Sequence, residues 1–382
     1  MAEGVPIQPD LLRWARNRVN LGIADLPSLF PRYSEWEDGK RHPTMRQLEQ
    51  FAEKTRTPLG YLFLANPPVE KLPIPDFRTM RDEDIPAPRP ELLDTIYRMQ
   101  QRQAWVRGFL MEEGVDSLEY VKSIMLGDDI RVASERMRET MKLQPDWAAN
   151  EKYWGTALNT LISRIEEAGV MVMTSGVVGD NTHRPLDVAE FRGFVLCDGH
   201  APLVFLNNRD AKSAQMFTLI HELAHVWLGK EGVSNLKQTM PGTNAIEKFC
   251  NQIAAEFLIP TDLFIAAWRE ADHLPDRFDV IAKRFKVSRI VAARQALDMR
   301  QISRDEFFKF YEECQNEEKS QRPEDSGGDY YRTKHRKLGD RFSRLVHQAV
   351  RSERLMYADA YRLTGLRGKT FDQYMSQFGG RV

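Results

Sequence analysis

Residues 217–229 read FTLIHELAHVWLG, a run of Leu, Ile, Val and Trp that also holds His221, Glu222 and His225. The apolar residues repeat as in a core helix. Imidazoles on such a helix must find partners, because a buried polar group without compensation is costly. Two readings are open: the histidines are satisfied by ordinary hydrogen bonds, or they hold a metal. Residues four apart on a helix share a face, so His221 and His225 can bring two ring nitrogens to one ion. Glu222 would then sit close enough to take a proton from water that the ion activates.

A working site also needs a third ligand and a partner that orients a ligand histidine. The next helical stretch, TNAIEKFCNQIAAEFL (243–258), offers both. Glu247 and Asn251 are one turn apart and share a face, so Glu247 can ligate while Asn251 bonds a ligand histidine. Glu256 competes for the third position. It lies nine residues beyond Glu247, about half a circle away, so one helix does not present both to one ion. Glu247 is the choice.

Upstream the period changes. VMVMT (170–174), FRGFVLC (191–197) and PLVFLN (202–207) are short β-type runs separated by Gly, Asp and Asn, after a helix that ends at Gly169. PLVFLN suits an edge strand that pairs an extended segment by β-augmentation. NNRDAKSAQ (207–215) supplies N-cap residues to the histidine helix, and Gly229 stops it. The fold class expected is α+β and mostly helical.

The 382 residues suffice for two or three domains, and a net charge of −1 demands neither nucleic acid nor membrane. No apolar run is long enough to span a bilayer, and the acidic, proline-broken opening MAEGVPIQPD is no secretory signal. Three cysteines, odd in number and far apart, argue for a reducing compartment, so the expected location is the cytoplasm.

FTLIHELAHVWLG and IEKFCNQIAAEFLIP, preceded by EFRGFVLCDGHAPLVFLNN, resemble the ImmA/IrrE family of metallo-endopeptidases. EWEDGKRHPTMRQLEQFA and LPIPDFRT are similar to its longer members, which carry a helix-turn-helix-like module in front. The resemblance runs from about residue 10 to about residue 300 and is weaker beyond. It implies a minimal zincin-like core, a small sheet packed on the HEXXH helix and the ligand helix. It implies His221, His225 and Glu247 as metal ligands and Glu222 as catalytic base. Cys250 departs from the family, where Ala is common, and reads as packing. Zinc suits two nitrogens and one oxygen with an open position, and manganese is the alternative. The oxyanion donor has candidates in His183, Arg192, His200, Tyr330 and Tyr331, each more readily a surface or structural residue; Arg192 more readily pairs with a carboxylate.

Outside this core, residues 1–68 form a degenerate helix-turn-helix-like module. Its inter-helix turn lacks the usual glycine, Pro27 interrupts it, and the would-be reading helix PRYSEWEDG carries one arginine and three acids, a poor face for phosphates. Residues 69–145 hold a proline-rich strap and a helical linker; PIPDFRT could clamp a neighbour through Asp76 and Arg78 as a regulatory strap near the active cleft, though a packed linker is the plainer reading. The peptidase core spans 146–275. A second helix-turn-helix-like module comes next at 276–312, with Ser288 as a cap and Lys283, Arg284, Lys286, Arg289 and Arg294 close in sequence, so DNA could bind there. Residues 313–382 form a mobile linker, including GGDYY as a candidate glycine-hinged flap, and a helical tail without evident chemistry.

The function expected, as the resemblance implies, is cleavage of one regulatory protein, a helix-turn-helix repressor or a neighbouring gene's product. The rival is a DNA-binding regulator or antitoxin-like partner that uses the fold as a scaffold, a reading supported by the family's occurrence on mobile elements and in two-gene cassettes.

Overall fold

The β-type runs pair into a single mixed sheet, and the histidine-bearing run is a helix laid across it. The computed structural model describes residues 4–26, 28–75, 87–234, 245–271, 273–318 and 330–378. The chain divides into two units, Met1–Pro73 with Asp84–Ile96, and Ile74–Glu83 with Tyr97–Val382.

In the first unit α1 (Pro9–Arg18), α2 (Tyr33–Glu37) and α3 (Met45–Lys54) enclose Leu11, Leu12, Phe30, Tyr33, Trp36 and Phe51. Thr44 caps α3 in a reciprocal box with Gln47. The would-be reading helix, α2, turns Tyr33, Trp36 and Glu37 into the core. Glu37 Oε1 accepts from Arg16 Nε at 2.9 Å and from the Tyr33 hydroxyl at 2.7 Å. A helix so used keeps little side-chain surface for a DNA groove. Pro27, Asp76 and Arg78 lie outside the described residues.

The second unit takes in most of α4 (Pro90–Glu112), then α5 (Ile130–Thr140) and α6 (Trp154–Glu167). Gly169, at φ 106°, lets the chain leave α6 in a conformation other residues resist. The strands are β1 (Met171–Ser175), β2 (Val177–Val178), β3 (Asn181–Pro185), β4 (Gly193–Leu196) and β5 (Leu203–Asn207). They precede α7 (Lys212–Leu228), β6 (Gly232–Ser234) and α8 (Ala245–Leu258). β2 and β3 make a separate hairpin; the main sheet has the order β1-β5-β4-β6. β5 pairs parallel to β1 from Met171↔Leu203 to Ser175↔Asn207, and antiparallel to β4 from Gly193↔Leu206 to Leu196↔Leu203.

The expected edge position of PLVFLN is therefore corrected. β5 lies between β1 and β4, and all five of its residues are buried. An unbroken apolar run marks a strand covered on both faces, whereas a half-exposed edge would alternate.

α7 is buried from Ala214 to Leu228 and packs against β4, β5, α6 and α8. Apolar residues all round it demand this. The expected side-chain N-cap is absent: Ala211 holds that place. Gln215 instead reaches back to the Asn208 and Asp210 carbonyls at 3.2 and 2.6 Å. Gly229 ends the helix in the left-handed region, φ 66° and ψ 37°. α8 lies against α7 and α5, and Arg138 on α5 donates to the Glu256 and Phe257 carbonyls at the end of α8.

Next come α9 (Thr261–Ala271), α10 (Arg277–Phe285), α11 (Arg289–Asp298) and α12 (Arg304–Glu318). Ser288 accepts from Val291 N at 3.2 Å, capping α11. In the helix pair α10–α11, however, Ile290, Val291, Ala292, Ala293, Gln295 and Ala296 are buried, and three of the basic residues face acids: Arg284 with Glu270, Arg289 with Asp279 and Arg294 with Asp298. The start of α11 is therefore core.

The tail forms α13 (Tyr330–Leu338), α14 (Asp340–Arg351), α15 (Tyr357–Thr364) and α16 (Gly368–Met375). α13 and α14 cover β1, and the Glu166 carboxylate accepts from Asp340 N and Arg341 N at 3.2 Å each, capping α14. Lys334 and Lys337 reach Asp180 in the β2–β3 hairpin at 2.6 and 3.2 Å. Gly327 and Gly328 of the candidate flap lie outside the described residues. Among those described, no helix is long and apolar enough to cross a membrane.

Candidate metal centre

α7 places His221 and His225 one turn apart, and α8, packed along it, turns Glu247 towards both. His221 Nε2 lies 3.1 Å from His225 Nε2 and 3.2 Å from Glu247 Oε2; His225 Nε2 lies 3.1 Å from Glu247 Oε1. These three donor groups are nearly equidistant and buried, and they form the candidate metal-holding group of the described residues. A tetrahedral ion about 2.05 Å from its ligands would hold them about 3.3 Å apart, within a few tenths of an ångström of the observed spacing. The donor set thus fits a small divalent ion.

Charge tells the same story. Burial pulls His221 towards its neutral form, but the attraction of Glu247, Glu222 and Asn251 outweighs it, and its pKa lies above the ordinary histidine value. Burial dominates at His225 and leaves its pKa low. For Glu247 burial favours the protonated acid, yet the two imidazoles hold its carboxyl well below the usual range. Read as one group, the triangle favours a positive charge at its centre.

Asn251, one turn beyond Glu247, puts Oδ1 3.0 Å from His221 Nδ1. An amide oxygen only accepts, so Nδ1 carries the proton and Nε2 presents its lone pair to the triangle. Glu256 is elsewhere engaged: its carboxylate accepts from Thr261 N at 3.2 Å and from the Thr261 hydroxyl at 2.6 Å, at the start of α9. Cys250 is fully buried in the core cluster.

Glu222 is wholly buried, and its neighbour is a residue that sequence reasoning passed over. A Cβ added to Gly193 would stand 2.7 Å from Thr218 Cγ2, 3.0 Å from the Phe205 carbonyl oxygen and 3.3 Å from Glu222 Oε1. β4 therefore approaches α7 at the turn that carries Glu222, and only glycine fits. A glycine inside a strand pattern is a sign of close approach, and FRGFVLC contained it.

The candidate oxyanion donors are not among the three groups of the triangle. Arg192 pairs with Asp210 at 2.8 Å. His200 sits in the β4–β5 turn, His183 on the β2–β3 hairpin, and Tyr330 and Tyr331 begin α13, which packs on β1 at the opposite edge of the sheet. A cavity of about 640 Å³ opens elsewhere, lined by α6, β1, α13 and α14. Its acids are already engaged: Asp340 with Arg344, Glu167 with Arg164, and Glu166 with the start of α14.

Residues 165–297 match the model of the peptidase M78 family, described as an IrrE N-terminal-like domain, which supports a metallopeptidase-like role. Residues 338–377 match the model of a domain of unknown function, DUF8813. No curated protein matches the chain.

Proposed function

We propose, from an ImmA/IrrE-family domain at residues 165–297 and the donor triangle within it, that the protein is a metal-dependent endopeptidase cleaving a specific regulatory protein. His221, His225 and Glu247 would hold the ion, zinc by preference and manganese as the alternative. When bound, the ion supplies Lewis acidity, lowering the pKa of water and polarising a scissile carbonyl. Asn251 fixes the His221 tautomer. Glu222 is the general base: it receives a proton from the attacking water and returns it to the leaving amine. Burial against Gly193 fixes its carboxylate in place and keeps bulk water away. The observation that carries this reading is the convergence of two histidines and Glu247 from separate helices beside a buried glutamate that a structural metal site would not need.

The substrate favoured is a helix-turn-helix repressor or the product of a neighbouring gene, and the setting is the cytoplasm, in keeping with three free cysteines. The test is metal analysis of the purified protein, then incubation with the neighbouring gene product with and without chelator. Glu222→Gln should retain the metal and abolish cleavage, whereas His221→Ala should lose both. Full cleavage by Glu222→Gln would remove the base from the mechanism. Salt-dependent DNA binding without any cleavage would favour a regulator built on a peptidase scaffold.

A further inference from the structure

The strand backbone at Gly193 comes close to Glu222, and its hydrogen-bonding groups are already taken. In an antiparallel ladder the residues of a strand turn their N–H and C=O groups alternately to one neighbour and the other. The Asn207 N–H donates to the Arg192 carbonyl, so Arg192 faces β5 and Gly193 faces the other way, towards β6. There the partner of Gly193 is Ser234, with Phe194 opposite Val233 and Val195 opposite Gly232. An extended peptide held against Glu222 by strand pairing would need those same groups of Gly193 and Val195.

β6 is a weak occupant by itself. Three residues make few ladder bonds, and a strand this short needs support. The support is visible. Val233, midway along β6, turns its N–H outward, away from β4, and donates it to the Pro75 carbonyl at 3.0 Å. Ile74, beside it, is only 5% exposed. Pro75 has no N–H, so it caps the outward donor of β6 without extending the sheet. This assigns PIPDFRT, at its described end, a place at the sheet edge.

We propose that β6, pinned by Ile74 and Pro75, is a resident stand-in for the peptide substrate: it occupies the edge of β4 beside Glu222, and the substrate docks by displacing it. The inference rests on the peptidase reading for the hydrolysis of a docked chain, but docking itself can be measured without hydrolysis. Among the described residues the outward bond of β6 is the one to the Pro75 carbonyl, which the buried Ile74 directly precedes, so freeing Ile74 should open the edge while leaving the triangle of His221, His225 and Glu247 intact.

The experiment uses the full-length, metal-loaded protein with Glu222→Gln, so that nothing is cleaved, and adds Ile74→Ala or the stronger Ile74→Asp. Amide exchange across Gly232–Ser234 and the affinity for fluorescein-labelled casein, an unfolded chain offering many extended segments, are read side by side. Release of the pin should speed exchange about tenfold and tighten casein binding about fivefold. In the Glu222 background cleavage of the neighbouring gene product should rise in step. Exchange that stays slow in both variants overturns the pin, and fast exchange with casein affinity unchanged or undetectable overturns the stand-in. If Ile74→Asp misfolds, Ile74→Ala alone decides by the same readings. Tighter casein binding, with no cleavage of casein or of the neighbouring gene product by any Glu222-containing form, sustains the docking edge and sinks the peptidase reading instead.

Discussion

Gly193→Ala is the substitution whose cost emerges most directly from the interatomic distances. The new methyl carbon would meet Thr218 Cγ2 at 2.7 Å, about 1 Å inside the usual carbon–carbon separation. Thr218 is 1% exposed and branched at Cβ, so its χ1 is stiff and its buried setting leaves little room to turn it. The second contact, the Phe205 carbonyl at 3.0 Å, belongs to an interior strand and cannot retreat. Relief therefore means moving β4 off α7, and overpacking of this kind costs about 1–3 kcal/mol. Urea denaturation of the wild type, Gly193→Ala, Thr218→Ala and the double variant should show that loss, with about 1 kcal/mol recovered as coupling once Cγ2 is gone. The same displacement pushes on Glu222 Oε1, 3.3 Å from the added carbon. A misplacement of up to an ångström in a catalytic group lowers turnover by as much as about 100-fold, so cleavage should fall far more than folding does. A Gly193→Ala protein within about 0.5 kcal/mol of wild type, with no coupling to Thr218, would refute the close approach of β4 to the Glu222 turn.

Two further outcomes bear on neighbouring groups. Asn251→Ala should weaken metal binding about 10- to 100-fold in a chelator competition, while Asn251→Asp, which still accepts from His221 Nδ1, should retain most of it. Equal affinity for Asn251→Ala and wild type would deny Asn251 its orienting role. Glu166 supplies a pH dependence. Burial raises its pKa from 4.5 to about 7, against the pull of the Arg341 and Asp340 amides. A folded pKa above the unfolded one means stability that is full below about pH 4.5 and lost as pH rises through about 7, amounting to about 3 kcal/mol. Denaturation curves across that window should slope downward for wild type and flatten for Glu166→Gln; parallel slopes would contradict the shift.

Much of the site was legible in the chain because helical spacing is a local property. His221 and His225 at four residues, and Glu247 with Asn251 at four, define faces whatever surrounds them. The half-circle between Glu247 and Glu256 separates the two carboxylates, and Glu256 accepts from Thr261. Strand identity was equally local. Strand order was not: PLVFLN shows that it is apolar, but which strands flank it depends on segments distant in sequence, here β1 and β4. GVS at 232–234 is too short to carry any periodicity and becomes a strand only because β4 offers it a partner.

The basic residues of α10 and α11 teach the converse. Five of them in a short stretch read as an electrostatic face, yet Glu270, Asp279 and Asp298 stand against three of them. What the sequence determined alone was which side chains share a helix face and so can act on one ion, because the α-helical repeat is set by the backbone. Tertiary structure alone decided that α7 and α8 lie side by side, that Gly193 comes too close to Glu222 and Thr218 for a side chain, and that Pro75 reaches Val233. Those are contacts between segments whose meeting depends on how a whole core packs, and no local pattern encodes that.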